Sequence, residues 1–218
     1  MRRRTRITAF SAVVCATAAI TGGAASASAP PGDDYVLVHD DHGLLQIEVP
    51  AAWDQVDTRP FINDDRSLSP AISATAAADF AELTDGYAQP GLVYEARPAA
   101  VADEDVFAEL DESDRCTDGG RTAYDDGAFT GQLQAWNYCD GGPARTFVLV
   151  ARPIGQEFTV VLWAKAPTPA AEAHVTHALA TFNATPSVGL PTATAPPDDV
   201  GGDTVEPAPA TSAPATGK

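Results

Sequence analysis

The sequence predicts an α+β domain in which helices flank an antiparallel β-sheet of about six to eight strands. The main observation is that three strand-like runs follow one another between Phe129 and Ala166 with only short turns between them. Helical patterns before and after these runs supply the flanking helices. Two cysteines, Cys116 and Cys139, bracket a turn-rich segment and the first run, and they tie this central stretch together.

The three runs predict an antiparallel meander. From Phe129 to Cys139 the side chains alternate between a mainly apolar face and a face of polar and aromatic groups. The run Thr146 to Ala151 is apolar on both faces, which is typical of a buried central strand. Phe158 to Ala166 is rich in β-branched and aromatic residues. Because the connecting turns are short and contain glycine, consecutive strands should pair with each other.

Before the meander, the pattern predicts a hairpin, a loop, two strands and two short helices. The hairpin pairs Tyr35–Val38 with Leu44–Val49. An irregular acidic loop follows over residues 54–68. The remaining predicted elements are strands over Ala71–Thr75 and Gly91–Ala96, a helix over Ala76–Leu83 that stops at Gly86, and a helix capped by Asp103 that runs through Glu112.

A longer helix is predicted to close the domain. Thr168 and Pro169 form a favourable pair of N-cap and first helical residue. Apolar side chains then recur at helical spacing, so this helix should lie across the sheet. Its apolar face carries Ala171, Val175, Ala178, Leu179 and Phe182.

Composition divides the chain into three parts. Residues 1–29 contain an arginine-rich start, an apolar core and the site Ala27-Ser28-Ala29, which together are typical of a secretory signal peptide. The apolar core is shorter than the roughly 20 residues that a membrane-spanning helix needs. Residues 30–186 form one domain, and residues 187–218, rich in Pro, Ala and Thr, predict a disordered tail. We therefore expect a secreted monomer, exported by a Sec-type signal peptide, with no stable membrane insertion after cleavage.

The charge of the mature chain limits its partners. Without residues 1–29, the chain has 9 Lys and Arg against 30 Asp and Glu, a formal net charge of −21. Phosphate backbones and anionic lipid surfaces would repel such a protein. We expect no nucleic-acid partner, and the same charge would also keep an extracellular protein soluble.

The two cysteines of the mature chain predict a disulfide. Cys15 leaves with the signal peptide, so Cys116 and Cys139 can pair with no thiol left over. An exported chain is oxidised in its compartment, which favours this bond. The alternative, a thiol that binds metal or acts as a nucleophile, has no C-x-x-C motif and no nearby histidine in the sequence to support it.

The first hairpin and the residues just after it follow the pattern Asp41-x-Gly43-x-x-x-Ile47-x-Val49-Pro50-x-x-Trp53. With the mid-chain helix, the hairpin-rich sheet and the closing helix, this pattern resembles the PsbP-like fold. More closely, residues 34–184 are similar to a domain that recurs in secreted actinobacterial proteins, sometimes beside trypsin-like serine proteases. The resemblance implies an α/β/α sandwich. Since most PsbP-like members are binding and assembly proteins, it also implies a non-catalytic accessory role.

No set of residues predicts a catalytic, cofactor or metal site. The sequence has no Gly-Asp-Ser-Gly-Gly segment and no G-x-S-x-G motif for a serine hydrolase. We interpret His39 and His42 as solvated residues of a turn, and His174 and His177 as a surface pair on the closing helix. The acidic loops lack the D-x-[DN]-x-[DN]-G spacing of a calcium loop. A secreted hydrolase or protease-associated domain and a calcium-binding acidic domain remain the alternatives to a binding module.

The hypothesis of a binding function rests on the second face of the predicted sheet. Large aromatic and polar side chains share this face on two strands, and recognition surfaces favour such a mixture. Two alternatives stay open: a helix covers this face, or the face is exposed and binds an unknown protein or cell-surface partner. The candidate partner-binding residues are Gln132, Gln134, Trp136, Tyr138, Trp163 and Lys165.

We predict that the secreted protein begins at or near Pro30, because the apolar core and the Ala27-Ser28-Ala29 site are spaced as signal peptidase requires. N-terminal sequencing of the protein from culture supernatant checks this. An N-terminal Met1, or a lipid attached to Cys15, would contradict it.

Overall fold

An antiparallel sheet lies between two helical layers in the structure, a computed structural model that describes residues 34–63 and 66–185. In chain order the described elements are β1 (Tyr35–His39), β2 (Leu45–Pro50), β3 (Gln55–Asp57), β4 (Phe61–Ile62), β5 (Leu68–Ser69), β6 (Ala71–Thr75), α1 (Phe80–Asp85), β7 (Gly91–Pro98), α2 (Asp103–Glu109), β8 (Thr117–Asp125), β9 (Phe129–Asn137), β10 (Arg145–Pro153), β11 (Phe158–Ala166), α3 (Pro169–Thr181) and β12 (Asn183–Ala184).

Seven strands form the middle layer in the order β3-β6-β7-β11-β10-β9-β8, and each neighbouring pair is antiparallel. A smaller sheet of order β1-β2-β12 packs with α3 against one face, and α1 and α2 lie on the other. The predicted α+β class and its α/β/α layering are therefore confirmed. The first hairpin was expected, but it belongs to the smaller sheet rather than to the main one.

The predicted meander from β9 to β11 is confirmed, and its middle strand is buried on both faces. Val148 shows the register, since it lies opposite Gln134 on one side and Trp163 on the other. A strand covered on both faces needs apolar residues at successive positions, which explains the continuous apolar run in this part of the sequence.

The main core lies between the sheet and α3. Alternate residues of the central strands point into it, and the buried face of α3 meets them as the helical spacing predicts. The α3 helix begins at the predicted position, where the Thr168 side chain accepts a hydrogen bond from the Ala171 N–H at 3.2 Å. The α3 residues buried in this core are Ala171, Val175 and Ala178, followed by Phe182 at the end of the helix.

A second, smaller core lies on the opposite face. Val106 and Phe107 of α2 pack there against sheet residues, with half-buried residues at the margin. This cluster explains how so short a helix is held in place, because a helix of this length has little stability of its own in water. The sheet residues of the cluster are Val148, Val150 and Val161.

Lys165 is a buried structural residue of this second face. Its side chain is 1% exposed, and burial lowers the pKa of its ammonium group. The ammonium donates hydrogen bonds to carbonyl oxygens at the end of α1, those of Leu83, Thr84 and Gly86, at 2.9, 3.1 and 2.8 Å. These carbonyls have no partner within the helix, and the cation also suits the negative end of the helix dipole.

One strand was missed in the sequence. The segment after Cys116 was expected to be rich in turns, but it forms the edge strand β8. A bulge between Asp118 and Arg121 holds two glycines, and these glycines and the acidic residues around them hide the strand pattern. A Cβ on Gly119 would lie 2.9 Å from the Ala135 carbonyl oxygen, so the close approach to β9 needs glycine here.

Other element boundaries also differ from the prediction. The loop expected over residues 54–68 contains the short strands β3, β4 and β5. Helix α1 begins at Phe80 rather than Ala76, because the Asp79 side chain caps it by accepting a hydrogen bond from Glu82 N–H at 3.0 Å. Helix α2 contains Asp103 as its first residue and ends three residues earlier than expected, at Glu109.

The interpretation of His174 and His177 as a surface pair is wrong. His177 is buried, its Nε2 lies 2.7 Å from Glu48 Oε2, and its ring stacks on Tyr35 at a centroid distance of 3.7 Å. His174 is half-buried, and its Nδ1 lies 3.0 Å from the Tyr35 hydroxyl. The pair fastens β1 and β2 to α3, a contact between residues far apart in the chain.

The predicted signal peptide of residues 1–29 and the predicted tail of residues 187–218 lie outside the described residues. Within residues 34–63 and 66–185, no helix combines the length and the apolar character needed to cross a bilayer.

Substitution Lys165→Met should destabilise the domain by about 1–3 kcal/mol, because buried carbonyl groups of α1 lose their donor. Thermal unfolding of the purified protein measures the effect. Arg59→Met is the control, since it removes a cation from an exposed ion pair and should leave the melting temperature nearly unchanged. Equal melting temperatures for the two variants would contradict the structural role of Lys165.

Candidate functional site

The candidate partner-binding residues do not form one exposed patch. Lys165, Gln134 and Trp136 are buried, with 1%, 6% and 8% of each residue exposed. The end of α1 covers Lys165, and Tyr87, Cys139 and Ala144 pack against Trp136. These three residues therefore form no exposed docking patch, and whether Gln134 and Trp136 contact a partner stays a prediction.

The other three candidates are more accessible. Gln132 and Trp163 are half-buried, and Tyr138 is 67% exposed. Tyr138 does not continue the strand, because its backbone has a φ of 54° in the left-handed region and the chain turns there into a short 3₁₀ segment. Cys139 is buried on the opposite side of that turn. Whether these three residues bind a partner stays a prediction.

A groove of about 330 Å³ lies where α2 meets the β8 edge of the sheet, and it contains two of the candidates. We call it the α2–β8 groove. It combines carboxylates, one guanidinium and two aromatic rings. Its lining residues are Glu104, Phe107, Ala108, Asp111, Asp118, Arg121, Gln134 and Trp136.

Secondary structure explains why these residues meet. Glu104 and Phe107 are three residues apart and lie on one side of α2, and Asp111 follows the C-cap Leu110. Gln134 and Trp136 are two residues apart on β9 and share a face of the sheet. The neighbouring bulged strand β8 contributes Asp118 and Arg121, which lie opposite Trp136 and Gln134 in the strand register.

Arg121 occupies one end of the groove. Its guanidinium lies 3.7 Å from the centre of the Phe107 ring, and its Nη1 donates to both carboxylate oxygens of Glu104 at 2.8 and 2.9 Å. Its Nε lies 3.3 Å from Gln134 Oε1, a weak hydrogen bond. An aromatic ring, a carboxylate and a side-chain amide thus bind this guanidinium of the protein together.

The remaining carboxylates give the groove a negative charge. Asp118 accepts hydrogen bonds from the Gly120 N–H at 2.7 Å and from Gln134 Nε2 at 2.8 Å. The Gly120 bond and then the Gln134 bond lower the pKa of Asp118, so this carboxylate stays ionised in mildly acidic solution. Asp111 accepts from the Ser113 hydroxyl at 2.7 Å. With Glu104 and Arg121 counted, the lining has a formal charge of −2.

Trp136 connects the groove to the disulfide. The structure joins Cys116 to Cys139, which fastens the start of β8 to the end of β9. Trp136 lies in the same small apolar cluster as Cys139, together with Tyr87 and Ala144. Its buried Nε1 has no hydrogen-bond partner among the described residues. The disulfide therefore supports the wall of the groove at the tryptophan.

The chemistry of the groove suits binding of a cation. Its lining holds carboxylates and aromatic rings, and both kinds of group attract cations. Within the described ranges, no three His, Cys, Asp or Glu residues are grouped to hold a metal ion.

Sequence reasoning identified only part of this site. It singled out Gln134 and Trp136, and it placed Phe107 on the apolar stripe of α2, but it left Asp118 and Arg121 in a turn-rich segment. The signal that was available is the acidic run over residues 103–118. The position of this acidic run relative to the sheet depends on β8, the strand that was not predicted because two glycines interrupt its pattern.

Comparison with solved structures shows likenesses at the level of the fold. The Ran-binding protein Mog1p of Saccharomyces cerevisiae is similar to this chain at a TM-score of 0.44 and 13% sequence identity, over 70% of this chain and 96% of that one. No family model matches the sequence, and no curated protein matches it.

Replacing both cysteines, Cys116→Ser with Cys139→Ser, should lower the free energy of unfolding by about 3 kcal/mol, because the unfolded chain regains the entropy of a loop of 23 residues. Urea unfolding of the purified parent protein and the variant measures the loss. In the parent protein, alkylation without reductant should label no cysteine, and alkylation after reduction and unfolding should label two. Native labelling of both thiols would contradict the disulfide.

Proposed function

We propose that this protein is a secreted, non-catalytic accessory module that binds a basic surface of a protein partner. The observation that carries the proposal is the acidic surface formed by α2, the residues just after it, and the α2–β8 groove. Residues 103–114 contain seven acidic residues and no basic residue. They lie outside the sheet on the second helical layer, where a partner can reach them.

The surface is acidic even after its internal ion pairs are counted. Asp103 pairs with Arg152, and Glu109 pairs with Arg97, at 2.6 Å in each case. These arginines hold α2 on the sheet and neutralise only part of the run. The residues that are exposed and form no ion pair within the described part of the chain are Asp105, Asp111 and Asp114.

Electrostatic attraction makes a basic partner the favoured one. The mature chain carries a formal charge of −21, which repels acidic proteins and attracts basic ones. Complementary charge speeds the encounter of two proteins and selects against wrong partners more than it raises affinity. Binding of this kind should weaken as salt is added, since salt screens exposed charges.

Secretion is part of the proposal and is supported by the signal-peptide pattern of residues 1–29 and by the two-cysteine composition of the mature chain. The setting beside secreted serine proteases, suggested by the sequence resemblance, would supply a partner of the same compartment. A hydrolase is less well supported, because the sequence has no serine-hydrolase motif and no serine, cysteine or histidine lines the groove. A calcium-binding domain is less well supported, because the described acidic residues form no cluster suited to a metal ion.

The variant Asp105→Asn with Asp114→Asn should weaken partner binding about three- to tenfold, since each exposed charge contributes up to about 1 kcal/mol. A protein captured from culture supernatant by the secreted domain is purified, and its affinity for parent and variant is measured by surface plasmon resonance. Asp34→Asn with Asp54→Asn is the control, because both are exposed acidic residues away from α2.

The control variant should bind like the parent, and affinity should fall when sodium chloride rises from low to physiological concentration. Thermal melts of all three proteins show that folding is intact. Equal losses in the two variants, or binding that salt does not change, would overturn the proposed basic partner.

A further inference from the structure

We infer that the α2–β8 groove is a pocket for one arginine side chain of the partner. The inference rests on the proposed function and adds the chemical group that the site recognises. The groove is a cavity with charge and aromatic walls, so it is more than a run of acidic residues. The chemistry, charge and size of the groove support this assignment, and the flat shape of a guanidinium favours arginine over lysine.

The groove already displays the chemistry of guanidinium binding. Arg121 shows how a guanidinium is held here, with an aromatic ring at 3.7 Å, a carboxylate that accepts twice, and a side-chain amide. The rest of the groove repeats the same three kinds of group. Trp136 supplies the ring, and Asp111 and Asp118 supply the carboxylates. Gln134 supplies the amide, and it contacts both Arg121 and Asp118.

The groove stays negatively charged after the contacts of Arg121 are counted. Arg121 donates its hydrogen bonds in the groove to Glu104 and Gln134. Asp111 and Asp118 receive hydrogen bonds from neutral donors and no ion pair within the described ranges. With Arg121 counted, the lining keeps a formal charge of −2, which attracts one further cation.

The groove is small. Its volume of about 330 Å³ is near the lower limit of ligand sites, which span roughly 300–1,000 Å³. It therefore suits a single long side chain better than a complete small molecule. A side chain that enters from a partner would leave its backbone outside, against the acidic surface of α2.

The shape and hydration of the charged group distinguish arginine from lysine. A guanidinium is flat, weakly hydrated and carries several N–H donors in one plane, so it can contact the Trp136 wall and donate to both carboxylates together. An ammonium group is compact and strongly hydrated, and it gives up more hydration in an aromatic-walled groove. Arginine is also among the residues that most often dominate the binding energy of interfaces.

The experiment uses the secreted protein labelled with ¹⁵N and titrated with N-acetyl-arginine methylamide. Two-dimensional NMR follows the indole N–H of Trp136, assigned with Trp136→Phe, and the Nε–H of Arg121. We expect both signals to shift and saturate at about millimolar concentration, since one side chain alone binds weakly. The citrulline analogue, which has the same shape and no charge, should leave them in place.

Variants of the groove provide the second readout. Asp111→Asn and Asp118→Asn should each weaken arginine binding about two- to fivefold, as expected for a partly exposed charge pair. Asp54→Asn is the matched control, because it removes the same charge from an exposed residue that does not line the groove. It should leave the affinity for the arginine probe unchanged.

Several outcomes would overturn the inference: no shift at Trp136 and Arg121, equal shifts with the citrulline analogue, or equal losses in the groove variants and Asp54→Asn. Equal affinity for N-acetyl-lysine methylamide would overturn the choice of arginine. A failed arginine titration together with weaker partner binding by the Asp105 and Asp114 variant would remove the pocket and leave the proposed function standing. Arginine binding in the groove with no salt-dependent partner binding would overturn the proposed function and leave the pocket standing.

Discussion

The pairing of β10 with β11, covered on both faces, is the constraint on which the rest of the structure depends. Residues of β11 alternate between the core under α3 and the core under α2, so one strand belongs to both cores. Each helical layer must then match the same strand register. Lys165 shows the consequence, because its place on β11 directs its ammonium to the end of α1. A cation at a buried position is tolerated there since carbonyl oxygens surround it.

The second helical layer determines both the stability and the surface chemistry of this protein. Arginines near α2 hold the helix on the sheet. Arg97, Arg121 and Arg152 each form an ion pair with one of its carboxylates. These ion pairs leave the acidic excess on the outer side of α2. The same arrangement that attaches the helix thus produces an acidic surface with an aromatic groove beside it, and the disulfide keeps the wall of that groove in position.

Much of the fold could be predicted where one pattern governed one element. The continuous apolar run of β10, the alternation along β9 and the Thr168 cap of α3 each report a local rule, and each element formed as expected. The prediction of β8 failed because Gly119 and Gly120 form a bulge against β9. No local sequence pattern reports such a contact between strands. The candidate site was found only in part for the same reason, since half of the α2–β8 groove lies on that strand and on the acidic side of α2.

The sequence by itself determined the α+β class, the central meander, the closing helix and the strongly acidic character of the chain, because side-chain periodicity and charge are properties of neighbouring residues. Only the tertiary structure decided which face each helix covers. That choice buried Gln134, Trp136 and Lys165, left Tyr138 exposed, and packed His177 against Glu48 and Tyr35. Burial depends on which distant segments meet. The spacing of residues along β9 and β11 is the same whether α2 lies over them or not.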